Sequence, residues 1–282
     1  MGATVGEAVG LLDSFFPPAL KEDWDHVGLV CGDPAAPLRR VAWAVDPTLN
    51  VVERAIEWGA DLLVVHHPLL LRGVNSVAAT NFKGGIVHQL IKGDCALYTA
   101  HTNADAAIGG VAETLARKIG LRDLRPLVPA ASDPQAGLGR VGHLAEPVSL
   151  LSLAQRLASL LPPNNHGVRI AGDTAALVRT AAVLPGAGDS LFDAVRAAQV
   201  DVYVTADLRH HPALEAREAA DFAGSGKPYL LDVSHAASEW AWLEPAAGRL
   251  VSGLEVLGSR VETWVIREVA DPWTARVGRT DE

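Results

Sequence analysis

The chain has 282 residues, of which 49% are apolar and 20% are charged. It can therefore fill a hydrophobic core, which excludes an intrinsically disordered chain. Its 33 acidic and 24 basic side chains give a net charge of −9, and this balance argues against a general binder of nucleic acid or membrane surfaces.

The chain contains two cysteines, Cys31 and Cys95, each beside apolar residues. Two cysteines are too few for a disulfide framework, so buried thiols and a reducing cytoplasm are expected. The first residues lack the basic segment of a signal peptide. The sequence also lacks an apolar run of about 18 residues that could span a membrane.

Apolar runs alternate with helical patterns in the first half of the chain. Strands are predicted at residues 38–45, 61–65 and 95–100, and helices at 48–58, 82–92 and 108–119. This order predicts a mostly parallel sheet covered by helices.

A segment rich in Pro, Gly, Ala and Ser at residues 126–140 predicts a loop or a domain boundary. A second set of elements follows it. Strands are predicted at 140–144, 168–171, 181–184, 200–205, 227–233 and 261–265, and helices at 149–161, at 190–198 and from about 235.

Four of the predicted strands end in polar clusters. The clusters are His66-His67, His101 to Asp105, Asp207 with His210-His211, and His235 to Glu239. Ligands of open α/β sheets bind outside the carboxyl ends of the strands, so the four clusters together predict a metal site.

Each cluster taken alone also allows a purely structural interpretation. Adjacent strand residues point to opposite sides, so His66 and His67 could be ligands of two neighbouring ions, or one packed and one solvated imidazole. His235 and Glu239 share a helix face at a spacing of four residues. They could bind one cation, bridge two, or form an ordinary polar face.

Histidine and carboxylate ligands without cysteine suit Zn, Mn or Fe. A pair of such ions lowers the pKa of a water molecule and holds the attacking and leaving oxygens, so hydrolytic chemistry is predicted.

The formal G-x-G-x-x-G at residues 137–142 follows a Pro-rich loop and overlaps a predicted strand, which argues against dinucleotide binding. A structural turn is predicted at residues 186–190, and the alternative is an anion held by the backbone N–H groups there, at the start of the predicted helix.

The segments GLVCGD, HHPLL, AHTNAD, PGAGDSL, DVYVTADLRHH and DVSHAASE, in this order, resemble the Nif3-like family of GTP cyclohydrolase 1 type 2 homologues, which carry a dinuclear metal centre. The resemblance implies that two divalent ions are held by His66, His67, Asp105, His235 and Glu239. It also places His101 and His211 near the ions, where either could act as general acid or base. One departure is His26, which stands where the family usually has Asn.

The resemblance further implies two α/β domains with mixed sheets flanked by helices and the metal site between them. We assign residues 1–125 plus 231–282 to the first domain and 126–230 to the second. The expected activity is hydrolysis of a small molecule, with GTP or a related nucleotide as the first candidate, in a toroidal homohexamer. The alternatives are a non-enzymatic metal-binding or scaffold protein and a nucleotide phosphodiesterase.

Overall fold

The computed structural model describes residues 2–268 and 270–277, and these divide into two compact units. The first unit takes in the described residues of Met1–Gly110, Ala130–Ala136 and Trp242–Ala270. The second takes in those of Val111–Pro129, Gly137–Ala241 and Asp271–Glu282.

The first unit is built on a mixed sheet with helices packed against it. Its elements are β1 (Ala3–Thr4), α1 (Val5–Phe15), β2 (Gly28–Cys31), β3 (Pro37–Leu38), β4 (Arg40–Ala44), α2 (Leu49–Trp58), β5 (Leu62–Val65), α3 (Phe82–Lys92), β6 (Ala96–Thr99), α4 (Thr102–Ala106), α10 (Leu243–Val256) and β13 (Glu262–Val265). The sheet order is β13-β4-β5-β6-β2, in which only β2 runs antiparallel to its neighbour, and β1 pairs with β3 beside it.

The second unit also has a mixed sheet flanked by helices. Its elements are α5 (Val111–Lys118), β7 (Leu121–Pro129), β8 (Gly137–Ser149), α6 (Leu150–Leu160), β9 (Arg169–Ala171), β10 (Leu177–Ala187), α7 (Phe192–Ala198), β11 (Val202–Ala206), α8 (His210–Phe222), β12 (Tyr229–Val233) and α9 (His235–Glu239). The sheet order is β7-β8-β10-β11-β12-β9, and β10, β11 and β12 are parallel.

These sheets confirm the predicted α/β class with mixed sheets. The unit boundaries differ from the domain boundaries assigned above, because β12 is hydrogen-bonded along its length to β11 of the second sheet. The strand and the following α9 therefore lie in the second unit, whereas the sequence assignment gave residues 231–241 to the first domain.

The two units share one structural frame. A helix leads into an edge strand, then an Asp turn, and then three parallel strands: α1, β2, β4, β5 and β6 in the first unit, and α6, β9, β10, β11 and β12 in the second. In both turns an Asp side chain accepts a hydrogen bond from the backbone N–H two residues later, at 2.8 Å for Asp33 and 2.9 Å for Asp173.

The same correspondence holds where the middle strand of each frame begins. Asp61 accepts hydrogen bonds from two backbone N–H groups at the start of β4, and Asp201 accepts them from Arg179 and Thr180 of β10, at 2.7 and 2.9 Å in both cases. The structure thus contains a long-period repeat, which the sequence analysis did not detect.

Asp201 offers a test of this frame by its pH dependence. Burial raises the pKa of its carboxyl, but the hydrogen bonds from Lys227 and from the backbone N–H groups outweigh burial and lower the pKa below its usual value. Because the pKa is lowered in the folded state, the stabilisation is present above the unfolded pKa of about 3.9 and is lost as the pH falls through the folded value.

We therefore expect Asp201→Asn to lower the free energy of unfolding at pH 7 by about 1–3 kcal/mol, with the difference from wild type fading as the pH falls below the unfolded pKa of about 3.9 and through the lower folded value. Urea denaturation at several pH values measures it. Asp193→Asn is the control, because the Asp193 side chain is 94% exposed and its ion pair with Arg196 contributes at most about 0.5 kcal/mol. A difference that persisted unchanged at pH 2.5 would contradict the role of the Asp201 charge.

Both cysteines are free thiols, with Cys95 buried and Cys31 half-buried. Burial raises the pKa of the Cys95 thiol to about 12, so it stays protonated and unreactive at neutral pH. Among the described residues, none of the helices is long and apolar enough to cross a bilayer.

Candidate metal centre

Three histidines meet where two parallel strands of the first unit end. His66 and His67 follow β5, and His101 follows β6, whose Thr99 pairs with Val65 of β5. Because the strands are parallel and in register, their carboxyl ends lie side by side. One ring nitrogen from each histidine lies within 4.8 Å of the others.

His66 is completely buried and its ring is fixed in one orientation. Its Nδ1 donates a hydrogen bond to the carbonyl oxygen of Ala100 at 2.8 Å. A carbonyl oxygen can only accept, so Nδ1 carries a proton, and the neutral ring has its lone pair on Nε2. That Nε2 faces Oδ1 of Asp105 in α4 at 3.7 Å, while the ring of Trp242 packs edge-on at 5.8 Å.

His67 and His101 are oriented by carboxylates in the same way. The Nδ1 of His67 lies 2.7 Å from Oδ1 of Asp46, and the Nδ1 of His101 lies 2.9 Å from Oδ1 of Asp25. An ionised carboxylate only accepts hydrogen bonds, so each imidazole donates from Nδ1, and the neutral ring carries its lone pair on Nε2.

Asp25 is buried and organises the segment that contains His101. Its carboxylate accepts from the ring of His101 and from the backbone N–H and the hydroxyl of Thr102. Burial raises the pKa of Asp25, but these hydrogen bonds outweigh burial and hold the pKa well below its usual value. Asp25 is therefore an anionic acceptor throughout the physiological pH range.

The second unit has a histidine–carboxylate pair on α9. The Nδ1 of His235 donates to Oδ2 of Asp207 at 2.7 Å, and its Nε2 lies 3.2 Å from Oε1 of Glu239, one helical turn later. Glu239 is 3% exposed. The hydrogen bond from His235 lowers the pKa of Asp207, so this carboxylate is also a permanent acceptor.

Gly186 of β10 lets the backbone pass close to this pair. Its φ is +73°, a conformation that favours glycine. A Cβ at this position would lie 2.6 Å from Oε1 of Glu239 and 3.5 Å from Nε2 of His235. The residues 186–190 predicted as a structural turn therefore begin at the wall of the His235–Glu239 pair.

The histidine group of the first unit and the His235–Glu239 pair of the second share an arrangement that suits metal ligation. All four imidazoles donate from Nδ1 to an oxygen acceptor, the arrangement that orients metal-binding histidines in proteins. Two donors bound to one ion at about 2.1 Å in tetrahedral geometry lie about 3.4 Å apart, close to the 3.7 and 3.2 Å seen for His66–Asp105 and His235–Glu239. The first unit and the second unit each carry residues that could hold a divalent ion.

The structure places the remaining sequence candidates less centrally. His211 is exposed at the start of α8, where its ring contacts that of His210 at 5.2 Å. His211 belongs to neither of the ligand groups found among residues 2–268 and 270–277. His26 is exposed, and its backbone N–H donates to Asp25. The G-x-G-x-x-G segment lies within β8. A dinucleotide-binding motif would instead connect a strand to a helix, so the structure agrees with the sequence argument against dinucleotide binding.

The family model described as Duf34/NIF3 (NGG1p interacting factor 3) matches residues 3–272. The chain belongs to the DUF34/NIF3 family. This confirms the resemblance to the Nif3-like family that the sequence motifs indicated.

Relatives that carry the name GTP cyclohydrolase 1 type 2 homolog match nearly the whole chain. One from Streptomyces coelicolor is 50% identical over 275 residues, covering 97% of this chain and 94% of the relative. One from Mycobacterium tuberculosis is 34% identical over 379 residues, covering 97% of both. That alignment is longer than this chain, so the mycobacterial relative contains segments that are absent here.

Solved structures of this family share the fold. A hypothetical protein of Staphylococcus aureus has a TM-score of 0.86 at 26% identity, covering 98% of this chain and 100% of its own. A Bacillus cereus protein related to NIF3 has a TM-score of 0.87 at 23% identity, covering 97% and 99%. The fold described above is therefore that of NIF3-like proteins.

Sequence reasoning missed Asp46, the acceptor that orients His67. Asp46 stands two residues after β4, so it follows a strand end just as the histidine clusters do. Asp46 is a lone acidic residue followed by Pro47, so it does not form a polar cluster of the kind that marks the other strand ends. Strand ends with one acidic residue are therefore worth including in such a search.

Proposed function

We propose that this DUF34/NIF3 protein is a metal-dependent hydrolase that uses His66, His67, Asp105, His235 and Glu239 to hold a pair of divalent ions. The observation that carries the proposal is the shared orientation of the imidazoles, each of which donates from Nδ1 and directs its lone pair through Nε2. The ligand chemistry suits Zn, Mn or Fe.

Bound ions would supply Lewis-acid chemistry by lowering the pKa of a water molecule and polarising the bond to be cleaved. The chain's own residues orient this chemistry. Asp46 and Asp207 fix the rings of His67 and His235, and both carboxylates increase the basicity of the imidazoles they hold. His101, held by Asp25, is placed to donate or accept a proton beside His66 and His67.

The proposed substrate is a nucleotide, with GTP as the first candidate. This proposal is supported by the name that the relatives carry, GTP cyclohydrolase 1 type 2 homolog. His211 is a second candidate for proton transfer, with less support because it lies outside both ligand groups. A toroidal homohexamer and a cytoplasmic location are part of the same proposal, which size-exclusion chromatography with light scattering and cell fractionation would test.

Turnover of GTP by the metal-loaded protein tests the activity, with product analysis by mass spectrometry. Formate release indicates opening of the guanine ring, whereas release of a nucleoside monophosphate indicates a phosphodiesterase. We expect His67→Ala to lower turnover by at least about 100-fold. His88→Ala is the control, since His88 is exposed on α3 away from the strand ends.

Metal binding without turnover of any nucleotide would reject the hydrolase, and equal turnover by His67→Ala and His88→Ala would reject the assigned metal site. In the first case the chain would be a metal-binding or scaffold protein. In the second case the histidines would be structural.

A further inference from the structure

A cavity opens in the second unit, between α8 and the edge of the sheet formed by β9 and β12. Its volume is about 390 Å³, within the usual range for small-molecule sites. Apolar side chains of Ile170, Leu208, Leu214 and Leu230 line most of it, together with Ala213. None of the proposed metal ligands lines the cavity, so binding there does not depend on the proposed hydrolase activity.

Small residues on α8 leave this space open. The helix buries only Ala216 and Ala220, and Ala213 faces the cavity. The helix at the same place in the first unit, α3, buries the larger side chains Ile86 and Leu90. Alanines stand in α8 where the other copy of the frame uses branched side chains to fill the space over the sheet.

The wall formed by α8 is held firmly in place. Nη1 of Arg217 donates to the carbonyl oxygens of Gly226 and Pro228, at 2.7 Å each, and its guanidinium lies over the ring of Tyr229. These contacts tie the helix to the segment that enters β12.

Each guanidinium in the polar part of the wall is paired with a carboxylate. Asp232, 4% exposed, accepts from the backbone of Leu208, from His166 and from Nε and Nη2 of Arg169. Arg169 is 57% exposed and has two more N–H donors on Nη1. Arg217 is paired with Asp221, to which its Nη2 donates at 3.1 Å, so the Nη1 donors of Arg169 are the cationic group that this wall offers to a ligand.

We propose that this cavity binds a small organic carboxylate with an apolar body. The guanidinium of Arg169 and the imidazole of His210 at the same wall recognise the carboxylate, and the apolar residues cover the remainder of the ligand. A single negative charge matches the one guanidinium edge that these pairs leave at the wall, whereas a phosphate dianion would bring a second charge beside Asp232 that no further cation balances.

The test uses three probes with one naphthalene body: 1-naphthoate, its neutral amide and 1-naphthyl phosphate. We expect calorimetry on the full chain to show that 1-naphthoate binds about tenfold or more tightly than either of the others. Arg169→Gln should remove the preference for the acid over the amide. Ala213→Leu should fill the cavity and weaken binding of 1-naphthoate by about tenfold or more while leaving the melting temperature unchanged or raised.

Ala219→Leu is the matched control, since Ala219 is an exposed residue of the same helix and should bind like wild type. Failure of all three probes, equal affinity for acid and amide, or tighter binding of the phosphate would each overturn the proposal. Unchanged affinity in Ala213→Leu would do the same. If Ala213→Leu does not fold, the comparison of wild type with Arg169→Gln still decides the carboxylate assignment.

Discussion

Glu239→Ala is expected to reduce the metal content of the purified protein from about two ions per chain to one or none. Glu239 is buried, and its carboxylate faces Nε2 of His235 at 3.2 Å. Its removal takes one donor atom and one negative charge from the site, so a divalent ion would lose both coordination and charge compensation. Elemental mass spectrometry of protein prepared without chelator measures the change.

Glu244→Ala is the matched control, because Glu244 is an exposed glutamate near the start of α10. Its metal content should equal that of wild type. Circular dichroism and the melting temperature establish that Glu239→Ala remains folded. A folded Glu239→Ala protein with a full complement of metal would contradict the assigned ligand set. Wild-type protein that takes up no Zn, Mn or Fe would show that the histidine clusters are structural.

Gly188→Ala is expected to destabilise the protein by about 3 kcal/mol or more. A Cβ at Gly188 would lie 2.0 Å from Oγ1 of Thr205 and 2.3 Å from the hydroxyl oxygen of Tyr203, both in β11. These buried hydroxyls donate to the carbonyl oxygens of Gly186 and Gly188 at 3.0 and 2.9 Å. The methyl group would therefore push the strands apart and break hydrogen bonds that water cannot replace.

The midpoint of urea denaturation, followed by circular dichroism, measures this loss. Gly248→Ala is the control, because nothing lies within 4 Å of a Cβ there. Gly248 is in the interior of α10, so alanine should stabilise the helix by about 0.5–1 kcal/mol. An unchanged midpoint for Gly188→Ala would contradict the close approach of residues 186–188 to β11.

Helices with large buried side chains were predicted well from the sequence. The interpretation of residues 82–92 as a helix is confirmed at both ends by α3, which is capped by Asn81 and buries Ile86, Val87 and Leu90. The sequence analysis assigned no helix to α8, because its buried positions are alanines and a pattern of small residues gives little apolar periodicity. The same alanines leave the cavity open.

The break predicted at residues 126–140 is narrower than the sequence indicated. Strands β7 and β8 extend through residues 129 and 137 and pair with each other, so only the short connection between them lies outside the sheet. Gly139, in β8, has little room for a side chain, since a Cβ would lie 3.2 Å from the carbonyl oxygen of Val183, and its φ of +62° favours glycine. Glycine here permits close strand packing, which a composition count reads as a loop.

The candidate site was predictable as far as its strand ends. The sequence places His66, His67, Asp105, His235 and Glu239 just after strands, and the structure confirms those positions. The acceptors that orient the rings were harder to find, because contacts such as Asp25 with His101 join residues 76 positions apart. The long-period repeat leaves a trace in the sequence only at its Asp turns, where GDPAAPLR at residues 32–39 and GDTAALVR at residues 172–179 share the Gly-Asp, the two alanines and the Arg. Around Asp61 and Asp201 the backbone contacts are kept but the neighbouring residues differ, so the match is too short to stand out as a repeat.

The fixed imidazole rings also determine how the chain would acquire its ions. A small zinc-dependent fold orders its ligands only when the metal binds. The free energy of metal binding must then offset the conformational entropy lost on folding, and a chelator denatures the protein. Here the ligands sit on sheets with their own apolar cores, and hydrogen bonds already select the tautomer and rotamer of each ring. Loading and unloading would then be reversible exchange on a rigid scaffold, in which the ion's affinity sets its residence time and the fold survives its departure.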